Sequence, residues 1–118
     1  MLVIQGRIPS KKNGVIAFVR AGKVIHIPSN KYREWHKDAE NQLKFQKYEL
    51  GNEITMRIYA PDARKSDLTN KAESVMDTLV DCGFLQDDNW FVVSKLTLEF
   101  GGIDKENPRV EIYNTIDK

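Results

Sequence analysis

Residues Ser66 to Asp88, which read SDLTNKAESVMDTLVDCGFLQDD, form the stretch that decides the fold of this chain. Apolar side chains recur there at i, i+4, i+7, i+8 and i+11, namely Leu68, Ala72, Val75, Met76 and Leu79. This spacing places them on one face of an α-helix and predicts a buried stripe along Leu68–Cys82 that ends before Gly83. Carboxylates flank the predicted helix, with Asp67 before it and Asp87 and Asp88 after it.

The segments on either side of this helix have the pattern of β-strands. Glu53–Tyr59 alternates apolar and polar residues, and Trp90–Phe100 is a long apolar-rich segment. We expect Gly101–Pro108 to be a loop and Arg109–Tyr113 to be a final strand. A helical connection between the first two of these strands favours a parallel pairing with a right-handed crossover.

The first half of the chain adds a strand, a hairpin and a second helix. Leu2–Arg7 is the predicted strand, and the hairpin turns at Arg20-Ala21-Gly22. A helix begins after Ser29, a typical N-cap residue, and carries a second apolar stripe at Tyr32, Trp35, Ala39 and Leu43. The order therefore predicts an α+β fold, in which a mixed β-sheet with a β-hairpin has two helices packed on it. A length of 118 residues fits a single domain over 1–118.

Composition is that of a soluble globular protein, with 41% hydrophobic and 30% charged residues. No apolar run approaches the roughly 20 residues that a membrane-spanning helix needs, and the first residues lack the pattern of a signal peptide. We therefore expect a cytoplasmic protein with no membrane partner. The single cysteine, Cys82, lies among apolar neighbours, which indicates packing rather than redox chemistry.

Charge is distributed unevenly although the net charge is only +1. Met1–Tyr48 has ten Lys/Arg and three Asp/Glu, giving +7, whereas Glu49–Lys118 has eight and fourteen, giving −6. A basic half attracts a polyanion and an acidic half holds cations, so a metal-dependent enzyme acting on nucleic acid would need both. The alternative is that the two halves touch and neutralise each other.

The acidic residues around the central helix are candidate metal ligands. Carboxylates without cysteine suit hard ions such as Mg²⁺ or Mn²⁺, which neutralise a scissile phosphodiester and activate water. Asp67 and Asp88 are the leading ligands, with Asp87 as their neighbour and Glu73 or Asp77 as support. The alternative is structural: Asp67 caps the helix, and Asp87 and Asp88 form a polar turn.

Basic residues outside the helices are candidate phosphate contacts. Nothing in the chain resembles a base-reading element, so we expect recognition of DNA shape and affinity that falls steeply with salt. A sheet-based RNA binder is disfavoured, because Glu53–Tyr59 lacks closely spaced aromatic residues. The candidates are Lys11, Lys12, Arg20, Lys23, Arg64 and Lys65.

The central stretch resembles the signature of the RusA family of Holliday junction resolvases. In that signature a basic run precedes D-L-D-N, a helix follows, and G-(aromatic)-x-x-D-D comes next; here the run is RKSDLTNKAESVMDTLVDCGFLQDDN. IPSKKN at 8–13 and PSNKYREW at 28–35 also resemble the family's N-terminal loop and first helix. The resemblance implies a homodimer that uses Mg²⁺ to make paired nicks in four-way DNA junctions during recombination and repair. It implies no small-molecule cofactor, and it adds Asn13 to the candidate DNA contacts.

Carried over residue by residue, the resemblance assigns the first essential aspartate to Asp67 and the last to Asp88, with Asp87 beside it. Asn70 matches the family's asparagine. Two positions depart from the pattern: Thr69 replaces an aspartate, and Glu73 replaces a lysine.

These departures bear on catalysis more than on fold. A threonine hydroxyl brings no negative charge, so weaker Mg²⁺ binding is expected. Glu73 restores the carboxylate count, and Lys71 is the candidate for the missing cation at the DNA. Two functions follow, an active junction endonuclease or a junction-binding protein that has lost cleavage.

Helix length raises a geometric question about the two leading ligands. A continuous helix over Leu68–Cys82 is about 22 Å long, so Asp67 and Asp88 begin at its opposite ends unless the following loop folds back. A two-fold dimer with antiparallel helices would bring Asp67 of one chain toward Asp88 of the other and create two equivalent sites.

Overall fold

Two α-helices and six strands make up the part of the chain that the computed structural model describes, residues 1–10 and 15–117. Their order confirms the predicted α+β class. Neither helix in these ranges is long and apolar enough to cross a membrane. The elements are β1 (Leu2–Gln5), β2 (Val15–Arg20), β3 (Lys23–Pro28), α1 (Asn30–Leu43), β4 (Glu53–Ala60), α2 (Leu68–Asp81), β5 (Lys95–Ile103), β6 (Arg109–Asn114) and a short 3-10 helix, Thr115–Asp117.

The main sheet is mixed and has four strands in the order β1-β6-β4-β5. β4 pairs in parallel with β5, as the helical connection between them predicts, and pairs antiparallel with β6. β2 and β3 form the predicted hairpin as a separate two-stranded sheet. The crossover through α2 therefore fixes this helix antiparallel to β4, with its C-terminal end near the start of that strand.

Both helices bury the apolar stripes that the sequence predicts. In α1 the Oγ of Ser29 accepts a hydrogen bond from the backbone N–H of Tyr32 at 3.1 Å, which confirms Ser29 as the N-cap. Trp35 is buried in the core, as its place on the stripe predicts. Cys82 packs against the same core, and burial raises the pKa of its thiol, which disfavours the reactive thiolate.

The core lies between these stripes and one face of the sheet. Its sheet side consists of fully buried side chains from three strands, namely Leu2, Ile4, Ile54, Met56, Val110 and Ile112. Each such side chain contributes roughly 1.5–3 kcal/mol of hydrophobic stabilisation. The two helices are thereby held in fixed positions relative to the sheet, and so are the residues at their ends.

The prediction that a strand runs over Trp90–Phe100 is wrong at both ends. Asn89 takes up backbone N–H groups that a strand would use for pairing. Its side-chain oxygen accepts a hydrogen bond from the N–H of Phe91 at 2.9 Å, and its backbone carbonyl accepts one from the N–H of Val93 at 3.0 Å. β5 therefore begins only at Lys95, and it continues to Ile103 through a bulge opposite Ile58 and Tyr59. Trp90 and Phe91, predicted to lie in the strand, are 78% and 86% exposed.

Candidate metal and nucleic-acid sites

Asp67 is the N-cap residue of α2, but its carboxylate makes no side-chain capping hydrogen bond. Its backbone is extended, with φ −76° and ψ 122°. The side chain is exposed, and its Oδ2 accepts a hydrogen bond from the Nδ2 of Asn70 at 3.1 Å. Because the carboxylate is not engaged with the helix N-terminus, the capping alternative does not describe its role.

Asp87 and Asp88 lie in an exposed turn after α2. The Oδ1 of Asp87 accepts a hydrogen bond from the backbone N–H of Asp88 at 2.7 Å, and its Oδ2 accepts from the Nδ2 of Asn89 at 3.0 Å. Both hydrogen bonds lower the pKa of Asp87, and the bond from the Asp88 backbone has the larger effect. Asp87 therefore organises the turn, while the exposed Asp88 carboxylate forms no ion pair with a cation in the described ranges.

The described chain holds Asp67 and Asp88 at opposite ends of α2. The 14 residues of the helix span about 21 Å. Beyond the helix, Leu85 is buried and donates its N–H to the carbonyl of Leu79 at 3.2 Å. The chain therefore folds back along the helix only as far as its last turn. Ser94 then donates to the carbonyl of Asn52, just before β4, at 2.8 Å. These contacts keep Asp88 near the C-terminal end of the helix, far from Asp67.

The remaining predicted positions on α2 point in different directions. Thr69 and Glu73 are exposed. Lys71 is half-buried, and its Nζ donates a hydrogen bond to the carbonyl of Ile8. Burial, followed by the nearby cation Arg7, lowers the pKa of Lys71. Glu73 therefore faces solvent, whereas Lys71 turns toward the segment that follows β1.

Predicted phosphate contacts lie at two separate places. Arg20 and Lys23 occupy opposite positions in the hairpin, next to the β2–β3 turn, and both are exposed. Arg64 and Lys65 are exposed on the loop before α2, where the Nη2 of Arg64 donates to Asp62 at 3.1 Å. The remaining candidates in the N-terminal loop, Lys11, Lys12 and Asn13, lie outside the described residues.

Sequence reasoning missed a cluster between the two helices, formed by His36, Asp77 and Asp81. One ligand atom from each lies within 4.8 Å of the others, close enough for the three to surround an ion. No local motif marks the cluster, because His36 is on α1 and both aspartates are on α2. Only the packing of the helices brings them together.

Hydrogen bonding explains this cluster without a metal. The Nε2 of His36 lies 2.9 Å from Glu40 and 3.1 Å from Asp81, both carboxylates. Its Nδ1 lies 3.0 Å from the Oγ1 of Thr78, which donates its own proton to the carbonyl of Ser74. Both ring nitrogens of His36 are therefore engaged by neighbouring side chains of the protein. A metal ion at Nε2 would have to replace the contacts of this atom with Glu40 and Asp81.

Comparison with known proteins adds an independent observation. The crossover junction endodeoxyribonuclease rusA of Enterobacteria phage HK97 is 30% identical to this chain over 76 residues, which is 61% of this chain and 62% of the phage protein. The alignment thus spans about three fifths of that relative. No family model matches the chain. The similarity to the phage protein agrees with the resemblance to RusA resolvases that the sequence motifs indicate.

Proposed function

We propose that this protein is a Mg²⁺-dependent endodeoxyribonuclease that resolves Holliday junctions or other branched DNA by paired phosphodiester hydrolysis, in recombination and repair. The observation that carries the proposal is the similarity to the phage HK97 crossover junction endodeoxyribonuclease. The exposed, uncapped carboxylate of Asp67 and the exposed Asp88 give it a chemical basis. Mn²⁺ would substitute for Mg²⁺.

The donor set fits a hard cation. Asp67 and Asp88 offer carboxylate oxygens, and Thr69 offers a hydroxyl in the first turn of α2. Held by these residues, Mg²⁺ would supply positive charge beside the scissile phosphodiester and lower the pKa of a bound water. The chain's own groups prepare this site: Asn70 orients the carboxylate of Asp67, and Asp87 holds the turn that presents Asp88.

A homodimer would complete the site. Mg²⁺–oxygen bonds of about 2.0–2.1 Å require ligands that share one location, whereas α2 separates Asp67 from Asp88 within one chain. Two antiparallel copies of α2 about a two-fold axis bring Asp67 of each subunit to Asp88 of the other. Two equivalent sites of this kind suit paired nicks in a symmetric junction.

A junction cleavage assay tests the proposal. With Mg²⁺ present we expect nicked strands from a synthetic four-way junction, and with EDTA we expect none. Asp67→Asn and Asp88→Asn should each reduce nicking by at least about 100-fold, because each removes a charged ligand. Glu34→Gln, an exposed carboxylate on α1, is the matched control and should cut like the wild type.

The same assay separates the alternative, a junction-binding protein without cleavage. That function is motivated by Thr69 and Glu73, which depart from the family pattern. Junction DNA that is retarded in a gel but remains uncut with Mg²⁺ or Mn²⁺ would favour it. Cutting by the wild type that Asp88→Asn leaves unchanged would instead show that the assigned ligand is wrong.

A further inference from the structure

A cavity opens where the segment that follows β1, residues 7–10, meets the N-terminal parts of both helices. Its volume is about 260 Å³, several times the roughly 30 Å³ that one water molecule occupies. Three cations line it, Arg7, Lys31 and Lys71, and no carboxylate is present among the described residues of its lining. We call it the N-terminal cavity.

Two buried hydrogen-bonding groups at the N-terminal cavity have no partner within the described residues. Trp35 lines the cavity and is 9% exposed, and its indole Nε1 is buried without an acceptor. The hydroxyl of Ser10, also in the lining, is buried and unpartnered. A buried donor left unpaired costs about 1–3 kcal/mol, so each such group requires an explanation. A ligand that accepts hydrogen bonds provides one.

The helix ends add to the positive potential of the N-terminal cavity. Ser29, the N-cap of α1, and Ser66, which directly precedes the N-cap of α2, both line it. The N-terminus of each 14-residue helix carries a partial positive charge.

We propose that the N-terminal cavity binds a tetrahedral phosphate group, contacted by Lys31, Lys71 and the indole N–H of Trp35. Arg7 contributes less, because it is paired with Asp62. The phosphate can come from a DNA backbone or from free inorganic phosphate. The DNA source rests on the proposed function, and it would place a backbone phosphate one residue from Asp67, since Ser66 lines the cavity.

An NMR titration with inorganic phosphate tests the cavity directly. The chain has two tryptophans, so Trp90→Phe assigns the indole N–H signal of Trp35. We expect phosphate, but not chloride at equal ionic strength, to shift that signal saturably. Lys31→Met should weaken the apparent affinity by about tenfold, since it removes a charge-assisted hydrogen bond. Lys37→Met, an exposed lysine on α1 outside the cavity, should not.

Thermal unfolding provides a second measurement that does not depend on a variant. A ligand that binds only the folded state raises Tm as its concentration rises. Phosphate should therefore raise Tm more than chloride does at matched ionic strength. No saturable indole shift, no excess stabilisation, or equal affinities for the Lys31→Met and Lys37→Met proteins would each overturn the proposal.

Junction DNA in EDTA distinguishes the two sources of phosphate. If the DNA backbone occupies the N-terminal cavity, the junction shifts the Trp35 signal and Lys31→Met weakens junction binding. If inorganic phosphate binds but the junction leaves the signal unchanged, the free anion is the ligand and the DNA assignment is overturned. A chain that binds phosphate at Trp35 but neither binds nor cuts junctions would refute the proposed function and leave the cavity assignment standing.

Discussion

Thr69 is the residue where the proposed metal site departs most from the RusA pattern, because a hydroxyl stands in place of a carboxylate. Its side chain is exposed in the first turn of α2, so an added charge stays in water. We expect Thr69→Asp to lower the Mg²⁺ concentration for half-maximal junction cleavage by about tenfold, or about 1.4 kcal/mol. A Mg²⁺ titration of nicking rates measures this shift.

Thr69→Asn is the matched control for that substitution, since asparagine has the shape of aspartate without its charge. It should leave the Mg²⁺ requirement close to that of the wild type. The aspartate also favours the helix N-terminus by roughly 0.3–1 kcal/mol, so urea unfolding should be measured alongside. If both variants require the same Mg²⁺ as the wild type, position 69 does not contribute to metal binding.

Asp62 makes the stability of the loop before α2 depend on pH. Hydrogen bonds from the side chain and backbone N–H of Arg64, and then from Arg7, lower its pKa from 3.8 to about 2. Because the pKa is lower in the folded protein, Asp62 stabilises the fold above about pH 4, and this contribution is lost as the pH falls toward 2. Asp62→Asn should therefore lower the urea midpoint above about pH 4 and have progressively less effect below it.

Urea unfolding between neutral pH and about pH 2 checks this prediction. The difference between Asp62→Asn and wild type should shrink steadily below about pH 4, as the carboxylate takes up its proton. Glu34→Gln, exposed on α1, should match the wild type throughout. A difference that persists unchanged to the lowest pH would mean that Asp62 acts through its shape rather than its charge.

Among the elements, the helices could be predicted closely because their apolar spacing and their burial agree. Both stripes and the Ser29 cap are where the sequence places them. The start of β5 could not be predicted, because apolar spacing does not show that the side chain of Asn89 accepts a hydrogen bond from the backbone N–H of Phe91. Its extension past Gly101 was also hidden, since two adjacent glycines read as a loop and here form part of a bulge.

That bulge depends on the absence of a side chain at Gly101. A Cβ there would meet the Cε1 and Cζ atoms of Tyr59 at 2.7 Å. The ring is held from the other direction by the guanidinium of Arg109, whose Cζ lies 3.9 Å from the ring centroid. We expect Gly101→Ala to destabilise the protein by about 1–3 kcal/mol, the usual cost of forcing extra atoms into a packed site.

Denaturant unfolding measures this cost, and Gly51→Ala is the control. A Cβ at Gly51 meets only the Oδ1 of Asn114, at an ordinary 3.6 Å, so little change is expected there. If the two alanine variants unfold at the same urea concentration, the Tyr59 ring moves aside freely and the bulge does not require glycine.

At the scale of the whole molecule, the basic half (Met1–Tyr48, +7) and the acidic half (Glu49–Lys118, −6) are in contact but neutralise each other only in part. An ion pair joins them at Arg7–Asp62, and the Nε2 of His36 contacts the carboxylate of Asp81. Arg20 and Lys23 remain exposed on the hairpin, and Lys31 remains exposed at the start of α1. The charge pattern in the sequence suggested both outcomes, and only the tertiary arrangement shows which cations are left for a polyanion.

The proposed sharing of each site between two subunits can be tested by mixing two variants. If each site takes Asp67 from one chain and Asp88 from the other, a heterodimer of Asp67→Asn and Asp88→Asn has one intact site and one site lacking both carboxylates. Random mixing makes half of the dimers heterodimers, so about a quarter of wild-type nicking should return, although neither variant cuts alone. Denaturing gels of the junction strands measure the recovered nicking.

The control is Asp67→Asn mixed with the double variant, which has no intact site and should stay inactive. Two variants that remain inactive when mixed, despite forming heterodimers, would place both ligands within one chain.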